Sequence, residues 1–263
     1  MLNQLFSNQL ALGAAQAVIA ALLALAVMWI TRWQHIHLES EIAVALIRGI
    51  VQIVAVGSVL VLLLQGPSWT SIFILIGMML AAAGIAARRA QGISGSFMVS
   101  LYGIGIGSGV VIVLMTWLGV IDAAITSLIP VGSMLIANSM NTNALAMDRF
   151  RGEVSSHVGQ IEAGLALGAD PKAVVTPYVR AAVNASLIPR IDSLRSLGIV
   201  WIPGLMAGMV LAGTDPVYAA IYQFVVIAMI FATSGLTSII STLLIRTHAF
   251  SEAEQLLLRP RLE

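Results

Sequence analysis

Glu162-Ala163-Gly164-Leu165-Ala166-Leu167-Gly168-Ala169-Asp170-Pro171 sits inside the one long polar interval of an otherwise apolar chain, residues 148–200. Six of the 13 basic residues fall in that interval: Arg149, Arg151, Lys172, Arg180, Arg190 and Arg195. Glu162 to Leu167 is a run of good helix formers with Gly164 as the one weak member. Gly168 suits the left-handed conformation that closes a helix C-terminus. Asp170 before Pro171 is an N-cap followed by a first-turn proline, so a second helix is expected to start there and run to about residue 187. The two helices form an elbow.

Composition sets the class of the rest. Hydrophobic residues make up 59% of the chain and charged residues 10%, with a mean hydropathy of +0.98, which is the balance of an integral membrane protein. A net charge of +1, with the basic residues scattered along loops, gives no footprint for nucleic acid. The absence of cysteine excludes disulfides, thiolate metal sites and iron–sulfur clusters. Residues 1–9 lack the positive region of a cleavable signal, and the apolar run after them is long enough to span.

Apolar runs of the roughly 17 to 25 residues that cross a bilayer can be placed at 10–30, 42–64, 69–87, 97–118, 121–145, 197–213 and 217–245. The expectation is therefore an all-α integral membrane protein with about seven transmembrane helices. Basic residues alternate across the connections: none in the N-terminal tail, Arg32 in the first loop, Arg88 and Arg89 in the third, the cluster at 148–196, and Arg246, Arg259 and Arg261 in the C-terminal tail. The intervening loops carry none. Positive residues stay inside, which puts the N-terminus outside, the C-terminus in the cytoplasm, and the elbow between spans 5 and 6 in the cytoplasm.

Arg48 is the one basic residue these spans leave inside the membrane, and Gln52 lies four residues on, on the same helical face. The pair reads either as a polar station on a transport path or as a side chain reaching back to the interface. Met134, Asn138 and Asn141 share a face of the fifth span, with an amide oxygen as a hard donor and a thioether as a soft one for a passing cation. Packing by interhelical hydrogen bonds is the competing account. Pro130 and the Pro203-Gly204 pair break helices and free backbone carbonyls, a device of transporters and also an ordinary kink. Gly103, Gly105, Gly107 and Gly109 lie in an apolar helix, where GxxxG spacing points to close packing and not to a phosphate loop. His35, His37, Glu39 and Glu41 in the first loop carry donors for a transition metal, although a solvated polar loop accounts for them as well.

The lone lysine, Lys172, stands between Pro171 and Ala173, so the chain has no phosphate-binding Gly-Lys-Ser/Thr loop. All four histidines lie outside the spans and no His-Glu-x-x-His occurs, which argues against an intramembrane hydrolase. Asp122 and Asp215 sit near span ends, and Asp215 before Pro216 reads as an N-cap, which leaves an ion-coupled carrier without a mid-membrane carboxylate.

The elbow resembles the coupling segment of ABC transporter permeases, which opens with Glu-Ala-Ala, three variable residues and Gly. Glu162, Ala163 and Gly168 match, Gly164 replaces the third residue, and Tyr178, Arg180 and Ala181 stand where the downstream Ile-x-Leu-Pro is expected. The stretches Ile129-Pro130-Val131-Gly132-Ser133-Met134, Ala137-Asn138-Ser139-Met140-Asn141, Leu187-Ile188-Pro189-Arg190-Ile191-Asp192-Ser193, Gly198 through Gly208, Leu211 through Pro216 and Tyr222-Gln223 resemble the FetB permease family. That family is described as bacterial iron exporters with plant relatives tied to aluminium tolerance.

The resemblance implies a single permease domain over residues 1–263 in a bacterial inner membrane, with a coupling region at 148–196. It implies no catalysis and no cofactor on this chain, ATP and Mg being held by a separate ATPase subunit that touches Glu162, Ala163, Gly168, Asp170 and Pro171. A symmetric pair of permeases is expected. Export of iron or another metal is the implied function, with a non-metal cargo such as a nucleotide sugar, or an ATP-independent carrier or channel, as alternatives.

Overall fold

The computed structural model describes residues 9–35, 39–64, 66–67, 69–90, 93, 95–251 and 255–258. Among these there is no β-strand, only isolated bridges of Leu197 with Trp201 and Phe250 with Leu256. The helices are α1 (Gln9–Trp33), α2 (Glu39–Leu64), α3 (Thr70–Arg89), α4 (Ser96–Trp117), α5 (Ile125–Ser156), α6 (Val158–Ala166), α7 (Pro171–Ser196), α8 (Gly204–Leu211) and α9 (Pro216–Ile245), with a 3₁₀ turn at Arg246–Ala249. An all-α membrane protein is what the composition demands and what the chain forms.

The chain divides into two compact units, 1–66 and 67–263. The first is the α1–α2 pair. Its spans are wholly unburied within the unit, as expected of two apolar helices whose surroundings are lipid or protein and not their own interior. Trp29 and Trp33 stack on one another one turn apart, with centroids 6.3 Å apart.

The second unit is built around α5, which packs on α3, α4, α7 and α9. Leu75, Ala83, Ile104, Leu135, Ile136 and Val226 form its main apolar core. Small residues bring the backbones together. A Cβ on Gly103 would collide with Ser241 Oγ, and one on Gly107 would lie 2.8 Å from Thr237 N, so α4 and α9 touch nearly backbone to backbone. Gly105 faces open space. The close packing read from the GxxxG spacing is thus carried by the two glycines at i and i+4.

Among the described residues five stretches are long and apolar enough to cross a membrane: Leu10–Trp33, Glu39–Ser58, Thr70–Arg89, Ser96–Trp117 and Pro216–Ala249. They match five of the expected spans. The other two differ from expectation. Hydropathy expects a span over 121–145, but α5 begins at Ile125 and continues for 32 residues to Ser156, taking in Asp148, Arg149, Arg151 and Glu153. At 1.5 Å per residue it is about 48 Å long. Residues 197–213 contain only the 8-residue α8, about 12 Å of helix, too short for a hydrocarbon layer of about 30 Å. Gly198 at φ 75 and the Leu197–Trp201 bridge hold residues 197–203 in a non-helical turn, and Pro203 then caps α8.

The helix ends follow the local chemistry. Asp215 accepts from Tyr218 N at 2.9 Å with Pro216 in the first turn of α9. Asp170 does the same for Ala173 N at 3.0 Å with Pro171 opening α7.

Candidate functional site

Two places bring the chemistry-bearing residues together, the elbow and a cavity, both within the second unit. At the elbow, Gly168 adopts φ 82, and Ala169 N donates to Gly164 O at 3.1 Å while Gly168 N donates to Leu165 O at 2.9 Å, which closes α6. The helix that follows runs to Ser196, nine residues past the expected 187. Pro177 and Pro189 lie within it and do not end it.

The tip of the elbow is exposed and its root is not. Glu162, Ala163, Gly168 and Asp170 face solvent, and Leu167 is 89% exposed. Ile161 and Val175, one on each arm, are fully buried in a second apolar cluster with Met147, Phe150, Val154 and Ile245. His157, at the corner between α5 and α6, stacks on Tyr178 of α7 at a centroid distance of 5.0 Å. Its Nδ1 lies 2.8 Å from Glu153 O, which fixes that nitrogen as the donor. Both arms are thus keyed into one end of the bundle.

The cavity, about 270 Å³, lies between α5, α7, the 197–203 turn, α8 and α9. Met134, Asn138, Pro203 and Gly204, all singled out from the sequence, line it. Asn141 does not; it lies on the same face of α5 nearly one turn beyond Asn138, and is exposed there. Arg190, Ser193, Trp201 and Gln223 complete the wall together with apolar side chains, and sequence reading did not nominate them. A signal existed for Arg190: Ala182, Ser186 and Arg190 recur every four residues, one face of α7, and Ala182 and Ser186 are buried. Ser186 Oγ meets Ser238 Oγ of α9 at 2.7 Å, which sets that face against α9.

The hydrogen bonding of this wall is one-sided. Asn138 Nδ2 donates to Met134 O at 2.7 Å, and Asn138 Oδ1 accepts from Arg190 Nη1. The amide oxygen read as a cation donor is occupied by the protein's own cation. Met206 N donates to Gln223 Oε1 at 3.2 Å. Arg190 Nε and Gln223 Nε2 are buried without a hydrogen-bond partner among the described residues. Among the described residues no acidic side chain lines the cavity. Asp122 belongs to a neighbouring cavity of about 430 Å³, where its Oδ1 accepts from Ala124 N at 3.0 Å.

Arg48 and Gln52 lie on α2 in the first unit and are exposed there. His35 has a left-handed backbone, φ 58, Glu39 and Glu41 occupy the first turn of α2, and His37 lies outside the described residues. Among the described residues no three His, Asp or Glu side chains gather where they would hold a metal.

Comparison with known proteins places this architecture. The profile of the uncharacterised protein family UPF0014 matches residues 14–250. A protein of Escherichia coli (strain K12) described as probable iron export permease protein FetB is 31% identical over 240 residues, spanning 90% of this chain and 92% of its own. The rice UPF0014 membrane protein STAR2 is 31% identical over 244 residues, 92% of this chain and 84% of its own. The Arabidopsis thaliana protein ALUMINUM SENSITIVE 3 is 29% identical over 243 residues, 92% and 88% of the two chains. No solved structure matches. With its profile matched across all but the two ends, and relatives from bacteria and plants aligned along nearly their whole length, the chain belongs to the UPF0014 family of membrane proteins.

Proposed function

We propose that this chain is the membrane permease subunit of an ATP-driven transporter of the ABC class, exporting iron or another metal across a bacterial inner membrane as a symmetric pair. The observation that carries the reading is the elbow: an exposed tip, with Leu167 at 89% exposure, on arms whose roots are fully buried at Ile161 and Val175. An apolar side chain held so far into solvent suits a protein partner, and buried roots let a push at the tip move α5 and α7 as bodies. The partner is a separate ATPase that holds ATP and Mg, because this chain has no loop to bind them. The name of the E. coli relative, a probable iron export permease, supports the cargo and the direction.

In this mechanism the cavity is the station that cargo occupies. Closure of the paired ATPases pulls the elbow, α7 carries the motion to Arg190, and the short α8 with its Pro203 hinge opens one side of the cavity as the other shuts. The lining residues bind and release; none performs chemistry.

The test is cellular. Cells that depend on this chain are loaded with radiolabelled iron and its efflux is followed, with membrane levels of the chain measured in parallel. Gly168→Val places a β-branched residue at φ 82, where only glycine is comfortable, and is expected to abolish efflux at unchanged membrane level. Normal efflux by this variant would remove the elbow from the mechanism.

A further inference from the structure

We infer that the cavity between α5, α7, α8 and α9 binds an oxyanion, a carboxylate or phosphate group, so that a metal cargo enters it as an anionic chelate and not as a bare cation. This rests on the reading of that cavity as the cargo station and names the chemistry it accepts.

The inference stands on three independent groups that all donate. Arg190 brings a positive charge into the wall with no carboxylate among the lining residues to offset it, and its Nε is buried without a partner among the described residues. Gln223 is 1% exposed; its Oε1 is engaged by Met206 N, which leaves Nε2, also without a partner, as the free end of the amide. The first N–H groups of a helix have no acceptor within it, and α8 starts at Gly204 with no cap bond from Pro203; Met206 N is taken by Gln223 Oε1, which leaves the amides of Gly204 and Leu205. The positive end of that helix meets the cavity at Pro203, Gly204 and Leu205. A Cβ on Gly204 would touch nothing within 4 Å, so the backbone there is open to a ligand.

Acceptors are few by comparison. Asn138 Oδ1 is held by Arg190, which leaves the Met134 thioether and the Ser193 hydroxyl oxygen, whose hydrogen goes to Pro189 O at 2.8 Å. A bare divalent ion would meet a guanidinium and few oxygens. An oxyanion would satisfy Arg190 Nε, Gln223 Nε2 and the first two α8 amides together, with the charge-assisted geometry that arginine favours.

Equilibrium binding to the purified full chain in phosphatidylcholine nanodiscs tests this, with four probes: inorganic phosphate, citrate, ferric citrate and Fe²⁺ alone. Saturable binding of citrate or ferric citrate is expected, with the stronger of the two identifying free acid or chelate as the preferred form. Arg190→Gln should weaken it about 10-fold to 100-fold, and Arg190→Lys should restore part of the loss. Gln223→Glu keeps an acceptor for Met206 N but replaces the free donor with a charge of the wrong sign, and should abolish binding while the chain stays monodisperse. Saturable binding of Fe²⁺ alone, enhanced or unchanged in Arg190→Gln, overturns the proposal. So does citrate binding that neither position affects, or no oxyanion binding at millimolar concentration. The assay contains no ATPase and no nucleotide, so its failure leaves the ATPase partnership standing, and the absence of such a partner would leave the binding result intact.

Discussion

The elbow and the cavity are built by opposite means. At the elbow the turn is closed by local bonds: Asp170 caps α7, Gly168 and Ala169 close α6 through backbone bonds, and the interior beneath is apolar. At the cavity, side chains from five separate segments meet, and buried donors on Arg190 and Gln223 are left over. A satisfied turn on a packed root is a rigid lever. A pocket with unsatisfied donors is a place that gains from a ligand, since buried polar groups are costly until paired.

The contrast can be broken at either end, and the largest effect is expected under the lever. Phe150 is fully buried in the cluster that roots the elbow, so Phe150→Ala should cost about 3 to 5 kcal/mol, seen as a large fall in the unfolding midpoint and a loss of transport with it. If stability holds, the elbow is not rooted there.

In the cavity, Gln223→Leu removes the acceptor of Met206 N and should cost about 1 to 3 kcal/mol for the orphaned group, measured by thermal unfolding in detergent. A neutral or stabilising result would mean that the α8 start is not held by Gln223.

Asp170→Ala removes one cap bond at an exposed helix start and should cost about 1 kcal/mol, visible as faster amide exchange confined to the first turn of α7. Unchanged exchange would remove the cap from the account. The smallest change is Gly159→Ala on α6, where a Cβ would meet nothing within 4 Å: a gain of about 0.5 kcal/mol is expected, with transport unchanged. A fall in transport would show that α6 works by flexing and not as a lever.

This division also explains what the sequence made legible. The elbow was readable because Gly168, Asp170 and Pro171 act within a few residues of themselves, and the same holds for Asp215 and Pro216 at α9. The packing role of Gly103 and Gly107 followed from spacing in an apolar helix. The cavity was half readable. Met134, Asn138 and Asn141 share a helical face, but that Asn141 lies beyond the cavity and is exposed, and that Arg190 comes from α7 to occupy the Asn138 oxygen, depends on where the other helices pack along α5. Hydropathy carries no such information. It also misjudged residues 197–213, where Gly198 and Pro203 divide an apolar run into a turn and a short helix. Apolar content recorded neither the exposure of this run, where Ile199, Val200 and Leu211 are each more than 80% exposed, nor its break, because a run of hydrophobic residues does not record where the backbone turns.

A lever needs something to pull it. The decisive measurement is to purify the tagged full chain from native membranes in mild detergent and identify, by mass and stoichiometry, the proteins that accompany it. The expected result is a P-loop ATPase in equal amount, lost when Glu162 or Gly168 is replaced and retained when Gln223 is. A stable, monodisperse preparation with no ATPase, from wild type and variants alike, would contradict the proposal and leave the elbow an ordinary connection between helices.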